Sequence, residues 1–88
     1  MNIVVISAIW CPSCLILNKH LKKLKEDYEI VKYDYDFDED IVKKYNVGKI
    51  LPVIIALKDG EEVGRICGEK SYEEIIEFLR GIEVWKRF

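Results

Sequence analysis

The sequence predicts an α/β fold with the element order β-α-β-α-β-β-α, in which a central four-stranded mixed sheet carries helices on both faces. Strand-like and helix-like segments alternate over the first half of the chain, which is typical of parallel strands joined by a helix. An Asp-Gly turn between two later apolar segments adds an antiparallel pair. The chain has 88 residues, 50% of them hydrophobic, and is expected to form a single domain over residues 1–88.

The first three elements form a predicted β-α-β unit with a right-handed crossover. Ile3–Ile6 is a continuous β-branched run, typical of a strand that is covered on both faces. Pro12 suits the first turn of the next helix, because its missing N–H would have no partner within the helix. This helix frays near Asp27, and Tyr28–Tyr35 follows as the second strand. The apolar stripe of the helix consists of Cys14, Leu17, Leu21 and Leu24.

A short helix and a hairpin are predicted next. Asp36–Asp40 supplies capping acids for a helix over Glu39–Tyr45. Val53–Leu57 is a strongly apolar third strand. Lys58–Glu61 is predicted to be the hairpin turn, because Asp-Gly tolerates the positive φ that such turns need. Val63–Cys67 then returns as the fourth strand.

The last predicted helix begins after Ser71. Glu74 stands three residues further on, and the two side chains together predict a capping box. The tail Gly81–Phe88, which contains Trp85 and Phe88, is assigned to no element. The buried face of the helix is expected to consist of Ile75, Phe78 and Leu79.

Charge and composition exclude several classes of partner. The net charge of −2 comes from 14 basic and 16 acidic residues that are well mixed, so no basic stripe for nucleic acid is present. The chain shows neither the basic start and cleavage site of an export signal nor an apolar segment long enough to span a membrane. We therefore expect a protein of the reducing cytoplasm with no nucleic-acid or membrane partner. A monomer is expected, although no feature of the sequence determines the oligomeric state.

Cys11 and Cys14 form the most informative pair in the sequence. A structural disulfide does not persist in a reducing compartment, and three cysteines are an odd count, so the pair indicates redox or metal chemistry. Cys11 falls at the start of the first helix, where free N–H groups and the helix dipole favour a thiolate. Cys14 begins the apolar stripe and should be less exposed. Cys11 is therefore predicted to attack a disulfide and Cys14 to resolve the mixed disulfide.

Two other uses of the pair remain open at this point. The cysteines could hold soft Cu(I) in a metal carrier, or the domain could bind peptides in a groove beside Trp10 and Pro52 without turnover. A structural zinc site needs four ligands, and only Cys67 and His20 remain as candidates, with His20 expected to face solvent. No metal or cofactor is predicted.

Several segments resemble the thioredoxin and glutaredoxin superfamily. Trp10–Cys14 looks like the thioredoxin active-site segment, and Leu51-Pro52 stands where that family keeps a cis-proline. Lys58–Arg65 is similar to the thioredoxin hairpin, and Gly68 matches the glycine after it. The resemblance extends from Ile3 to Leu79 and implies a thioredoxin-like fold.

The resemblance also implies a thiol–disulfide oxidoreductase that reduces protein disulfides with Cys11 and Cys14 as catalytic residues. A reductase or a low-molecular-weight thiol would return the pair to its dithiol form. If the Leu51-Pro52 bond is cis, Leu51 can offer main-chain groups to an extended substrate peptide. The implied substrate-binding residues are Trp10, Pro12, Ser13, Leu51 and Pro52.

The sequence departs from the family pattern at several positions. Val5 stands where thioredoxins usually carry a buried aspartate, so Lys32, which matches the lysine that pairs with it, is expected to be exposed. The elements with which glutaredoxins hold glutathione are replaced by Ile50–Pro52 and Cys67-Gly68. Cys67 is expected near Leu51-Pro52, and the favoured interpretation is a small buried hydrophobic residue. The alternative is a second resolving or regulatory thiol.

Overall fold

The computed structural model describes residues 2–85, and the predicted order β-α-β-α-β-β-α is confirmed. Phe88, in the unassigned tail, lies outside the described residues. Within residues 2–85, no helix has the length and apolar character that crossing a membrane requires. The elements are β1 (Asn2–Ser7), α1 (Pro12–Leu24), β2 (Glu29–Asp34), α2 (Glu39–Lys44), β3 (Val53–Lys58), β4 (Glu61–Cys67) and α3 (Tyr72–Trp85).

The four strands form one mixed sheet in the order β2-β1-β3-β4. β1 runs parallel to β2, and β3 runs antiparallel to both β1 and β4. The register places Ile6 of β1 opposite Val53 of β3. Because β1 and β3 occupy the centre, their apolar side chains are covered on both faces, as the β-branched run predicts for β1.

Each face of the sheet carries its own apolar cluster. On one face, alternate residues of β1 and β3 pack with Leu17, Leu21 and Leu24 of α1 and with Ile75 and Leu79 of α3. The opposite cluster contains Val4, Ile6, Val53 and Ile55, together with Cys11, Cys14 and Leu51, and residues of α2 pack against it. The apolar stripe of α1 therefore passes from one cluster to the other at its first turn.

The last helix is longer than expected. α3 continues through Gly81 to Trp85, although the tail from Gly81 onward was assigned to no element. Ile82 of this extension packs on the first cluster. Gly64 of β4 makes room for it, because a Cβ at that position would lie 3.1 Å from the Ile82 Cδ1 atom. Packing against the sheet, rather than local propensity, keeps this part of the helix formed.

Three local details refine the sequence interpretation. The hairpin turn is confined to Asp59 and Gly60, which both have positive φ, so β4 begins at Glu61 and not at Val63.

Asp38 is the N-cap of α2, but its side chain makes no cap hydrogen bond. Its carboxylate instead accepts the Asp34 N–H at 2.7 Å. The capping box of α3 is confirmed, with both hydrogen bonds at 3.2 Å between Ser71 and Glu74.

The burial of Leu79 leads to a stability prediction. This side chain is 0% exposed in the cluster between α3 and the sheet, whereas Leu15 on α1 is 62% exposed. Leu79→Ala should lower the free energy of unfolding by about 2–5 kcal/mol, because it leaves a cavity as well as removing buried methyl groups. Leu15→Ala is the matched control and should change it by less than about 0.5 kcal/mol. Urea unfolding followed by circular dichroism measures both, and equal losses would contradict this core assignment.

Candidate active site

Cys11 and Cys14 lie together at the junction of β1 and α1. The chain turns sharply after β1, with the Cys11 N–H donating to the Ala8 carbonyl at 3.2 Å. Cys11 is the N-cap residue of α1, with extended backbone angles, and Pro12 occupies the first helical position. The Cys14 N–H donates to the Cys11 carbonyl at 3.2 Å, and both thiols are free. The segment Cys-Pro-Ser-Cys thus forms the N-cap and first turn of α1, and both thiols lie within this turn.

Both thiols are buried, and the inner one is the more deeply covered. Cys11 is 6% exposed and Cys14 is 2% exposed. They belong to the same apolar cluster as Leu51. The difference in exposure has the expected direction but is small, so access to Cys11 is also restricted.

The environment of Cys14 holds it as a thiol. Burial raises the pKa of Cys14 to about 11, and its hydrogen bond with Cys11 acts in the same direction. The main chain of Ala8 and the positive charge of Lys32 oppose this shift of the pKa. Among residues 2–85 no polar or charged side chain is fully buried, and Val5 is itself 0% exposed. No buried carboxylate is therefore present in this part of the chain to accept the proton of Cys14.

Trp10 forms a fixed wall beside the cysteines. Its indole Nε1–H donates to Asp36 Oδ2 at 2.7 Å, and its ring meets the ring of Tyr35 edge-on with centroids 6.4 Å apart. The side chain still remains 60% exposed. Sequence reasoning did not identify Asp36 as the partner of Trp10, because the only signal was its place in a run of acids.

The segment before β3 lies at the same end of the sheet. The Leu51-Pro52 peptide bond is cis, as the family resemblance implied. Leu51 and Pro52 are both buried, and the Pro52 carbonyl accepts the Gly68 N–H at 2.9 Å. Within residues 2–85 no hydrogen bond to the main chain of Leu51 is found. Its peptide groups are therefore not committed to the sheet.

A side-chain hydrogen bond joins the cysteine segment to the chain after β4. Ser13 Oγ donates to Glu69 Oε1 at 3.2 Å, while the neighbouring Pro12 is exposed. This hydrogen bond places the Glu69 carboxylate beside Ser13, one of the two residues between the cysteines. The sequence contains no pattern from which the partnership of Ser13 and Glu69 could have been predicted.

The favoured interpretation of Cys67 is wrong. This cysteine is exposed and not a buried hydrophobic residue. It ends β4, which is an edge strand, so no further strand covers it. Its expected position near Pro52 is correct, because it pairs with Val53 and the following Gly68 N–H bonds the Pro52 carbonyl.

The two remaining candidate residues lie on the outer side of α1 and on β2. Lys32 is exposed, as expected, and its Nζ donates to Asn18 Oδ1 at 2.7 Å. His20 is half-buried rather than fully solvent-facing, because its ring packs on Tyr72 with centroids 5.8 Å apart. Across the described range 2–85, no group of three or more His, Cys, Asp or Glu side chains could hold a metal ion.

Comparison with known proteins identifies the family. The thioredoxin family model matches residues 1–81. A thioredoxin of Staphylococcus aureus is 36% identical over 76 residues, which cover 82% of this chain and 72% of that protein. The reduced thioredoxin pre-protein of Schistosoma mansoni superposes with a TM-score of 0.82 at 32% identity, covering 92% of this chain and 77% of that one.

A second solved structure gives the same result. Oxidised mitochondrial thioredoxin 3 of Saccharomyces cerevisiae has a TM-score of 0.81 at 29% identity, covering 91% of this chain and 76% of that one. The matched family, the four-stranded mixed sheet and the paired thiols agree with a thiol–disulfide oxidoreductase. The chain belongs to the thioredoxin family.

Proposed function

We propose that this member of the thioredoxin family reduces the disulfides of protein substrates, with Cys11 as the attacking thiol and Cys14 as the resolving thiol. The observation that carries the proposal is the pair of free thiols in one helical turn, of which the inner one is held protonated by burial. A protonated Cys14 does not compete with Cys11 for the substrate. It becomes reactive only once a mixed disulfide lies beside it.

The helix start supports the role of Cys11 in the first step. Pro12 has no N–H, the Cys14 N–H bonds the Cys11 carbonyl, and the Ser13 N–H has no acceptor within residues 2–85. This free N–H and the helix dipole stabilise negative charge at the N-cap. The Cys11 thiolate attacks one sulfur of the substrate disulfide, the substrate S–S bond breaks, and the other substrate sulfur leaves as a thiolate that takes up a proton.

The second step oxidises the protein. Cys14 loses its proton and attacks the Cys11 sulfur, which breaks the mixed disulfide and releases the second substrate thiolate. The substrate has then gained two electrons and two protons, and Cys11 and Cys14 have formed a disulfide. A reductase or a low-molecular-weight thiol must return those electrons before the next cycle. A monomeric state and a cytoplasmic location, where such donors maintain reducing conditions, are part of the same proposal.

Five residues around the dithiol are proposed to bind the substrate. The free main-chain groups of Leu51 can pair with an extended peptide, as at the edge of a sheet. The exposed indole of Trp10, fixed by its hydrogen bond to Asp36, supplies an apolar wall. The proposed substrate-binding residues are Trp10, Pro12, Ser13, Leu51 and Pro52.

The three cysteines should contribute unequally to the reduction of disulfides. Purified protein should reduce the disulfides of insulin with dithiothreitol as the electron source, and Cys11→Ser should lower the rate to background because it removes the attacking sulfur. Cys67→Ser is the matched control and should keep the rate. Full activity of Cys11→Ser would disprove the proposed role.

The control also tests the alternative for Cys67. A second resolving thiol would make the Cys67→Ser rate fall together with a change in the disulfide that mass spectrometry finds in the oxidised protein. An unchanged Cys11–Cys14 disulfide and an unchanged rate would reject a resolving role for Cys67.

The release of a substrate peptide from the mixed disulfide should depend on pH. Burial is the largest cause of the raised pKa of Cys14 in the free dithiol, and we expect it to keep the thiolate fraction of Cys14 small at neutral pH in the mixed disulfide as well. The rate at which a bound peptide is released from Cys11 should rise about tenfold per pH unit from pH ~7 to ~9, because the pKa of Cys14 lies above this range. A stopped-flow assay on a preformed mixed disulfide measures this release.

Two variants make the pH experiment specific. Cys14→Ser should release no peptide at any pH in the absence of added thiol. Lys32→Gln should slow release at a given pH, because the Lys32 charge lowers the pKa of Cys14. Lys25→Gln removes a charge near the other end of α1 and should leave the rate unchanged. A release rate independent of pH would show that deprotonation of Cys14 does not limit the step.

A further inference from the structure

Large apolar side chains are exposed around the dithiol. Four of them stand within two residues of a cysteine in the chain. Phe37 follows Asp36, which bonds Trp10, and Ile50 precedes the buried Leu51. Elsewhere among residues 2–83, Val31 is the only other large apolar side chain with comparable exposure. Concentration of exposed apolar surface at one place marks an interaction site. This apolar rim consists of Ile9, Trp10, Leu15, Ile16, Phe37 and Ile50.

One side of the apolar rim is strongly acidic. Residues 34–40 contain five carboxylates and no basic residue. Asp34 and Asp38 accept main-chain N–H groups within the segment, whereas Asp36 bonds Trp10. Asp36, Phe37, Glu39 and Asp40 line a shallow cavity of about 520 Å³. Asp36, Glu39 and Asp40 together form what we call the acidic wall.

The charges of the acidic wall are not neutralised by ion pairs. The only salt bridge found within residues 2–85 joins Arg65 to Glu62, on β4. Glu39 and Asp40 stabilise the first turn of α2, which explains their presence but leaves their charges at the surface. Lys43 lines a smaller neighbouring cavity with Asp36 and Glu39, without a salt bridge to either.

The opposite side of the site carries mixed charge. Glu69 bonds Ser13 between the cysteines, but Lys70 follows it in the chain, and Lys49 precedes Ile50 of the apolar rim. A substrate lying across the dithiol therefore meets an asymmetric electrostatic field, in which the potential is negative on the side of Trp10 and the acidic wall. Such a field accelerates the approach of chains with the complementary charge and slows the approach of others.

We propose that the preferred substrates are polypeptides whose disulfide cysteine is flanked by basic residues among apolar ones. This inference depends on the proposed function and names the substrate class for the same dithiol. The apolar rim takes the apolar residues and the aliphatic stems of Lys or Arg, while their charged ends reach the acidic wall. The exposed face of Trp10 adds an attraction for the cation.

The test compares two matched disulfide peptides. They are identical except for a Lys or a Glu next to the cysteine, and each is joined through a disulfide to the same uncharged reporter thiol. At low salt the value of kcat/KM should be about fivefold higher for the Lys peptide, and high salt should bring the ratio towards one. Each rate is divided by the rate with hydroxyethyl disulfide, which is small and uncharged, so that changes in the dithiol itself cancel.

Two double variants locate the preference. Glu39→Gln with Asp40→Asn removes two charges of the acidic wall and should lower the Lys-to-Glu peptide ratio by at least about half. Glu26→Gln with Glu29→Gln removes two charges beyond the far end of α1, about 20 Å along the helix from Cys11, and should keep the ratio. The salt dependence of the unaltered protein is a second test that requires no variant.

The outcomes separate this inference from the function on which it depends. Equal rates for the two peptides, with normal reduction of hydroxyethyl disulfide, would overturn the substrate class alone. A preference that the far variant reduces as much as the near variant would also overturn it, because the field would then come from the net charge. Failure to reduce both peptides and the small disulfide would overturn the proposed function itself.

Discussion

The antiparallel pairing of β1 with β3 brings two chain segments together at one end of the sheet. Ile6 lies opposite Val53, so the cysteine turn that follows β1 comes beside the cis-proline that precedes β3. β4 then pairs with β3 and brings Cys67 and the following segment to the same end. Because both central strands are buried on two faces, a shift of one residue would turn their apolar side chains to the wrong cluster. Burial of the core therefore fixes the register that holds the candidate active site together.

Much of this arrangement could be predicted from the sequence because it depends on local patterns. The apolar runs of β1 and β3, the stripe of α1 and the Asp-Gly turn each express a simple rule of periodicity or backbone freedom. The capping box at Ser71 is equally local. The position of the thiols followed from the same patterns, since a helix that begins at Pro12 must place Cys11 at its start.

The parts that could not be predicted depend on contacts between distant segments. Trp10 bonds Asp36 and Ser13 bonds Glu69 across long stretches of chain, and no spacing in the sequence connects either pair. The extension of α3 depends on the space left by Gly64 on a neighbouring strand. Cys67 was expected to be buried from its residue type, whereas its exposure is determined by the position of β4 at the edge of the sheet.

If Cys11 and Cys14 act as proposed, the covering of the two thiols makes their selectivity depend on access as well as on intrinsic reactivity. Cys11 is only 6% exposed, so under the proposed function a substrate disulfide has to reach a sulfur that lies below the protein surface. A rigid protein that keeps its own disulfide below its surface cannot make that approach. A disulfide on a protruding, deformable chain can. Under the proposed function, the depth of the dithiol thus favours substrates whose disulfide lies on a deformable segment, in addition to the effects of charge and reduction potential.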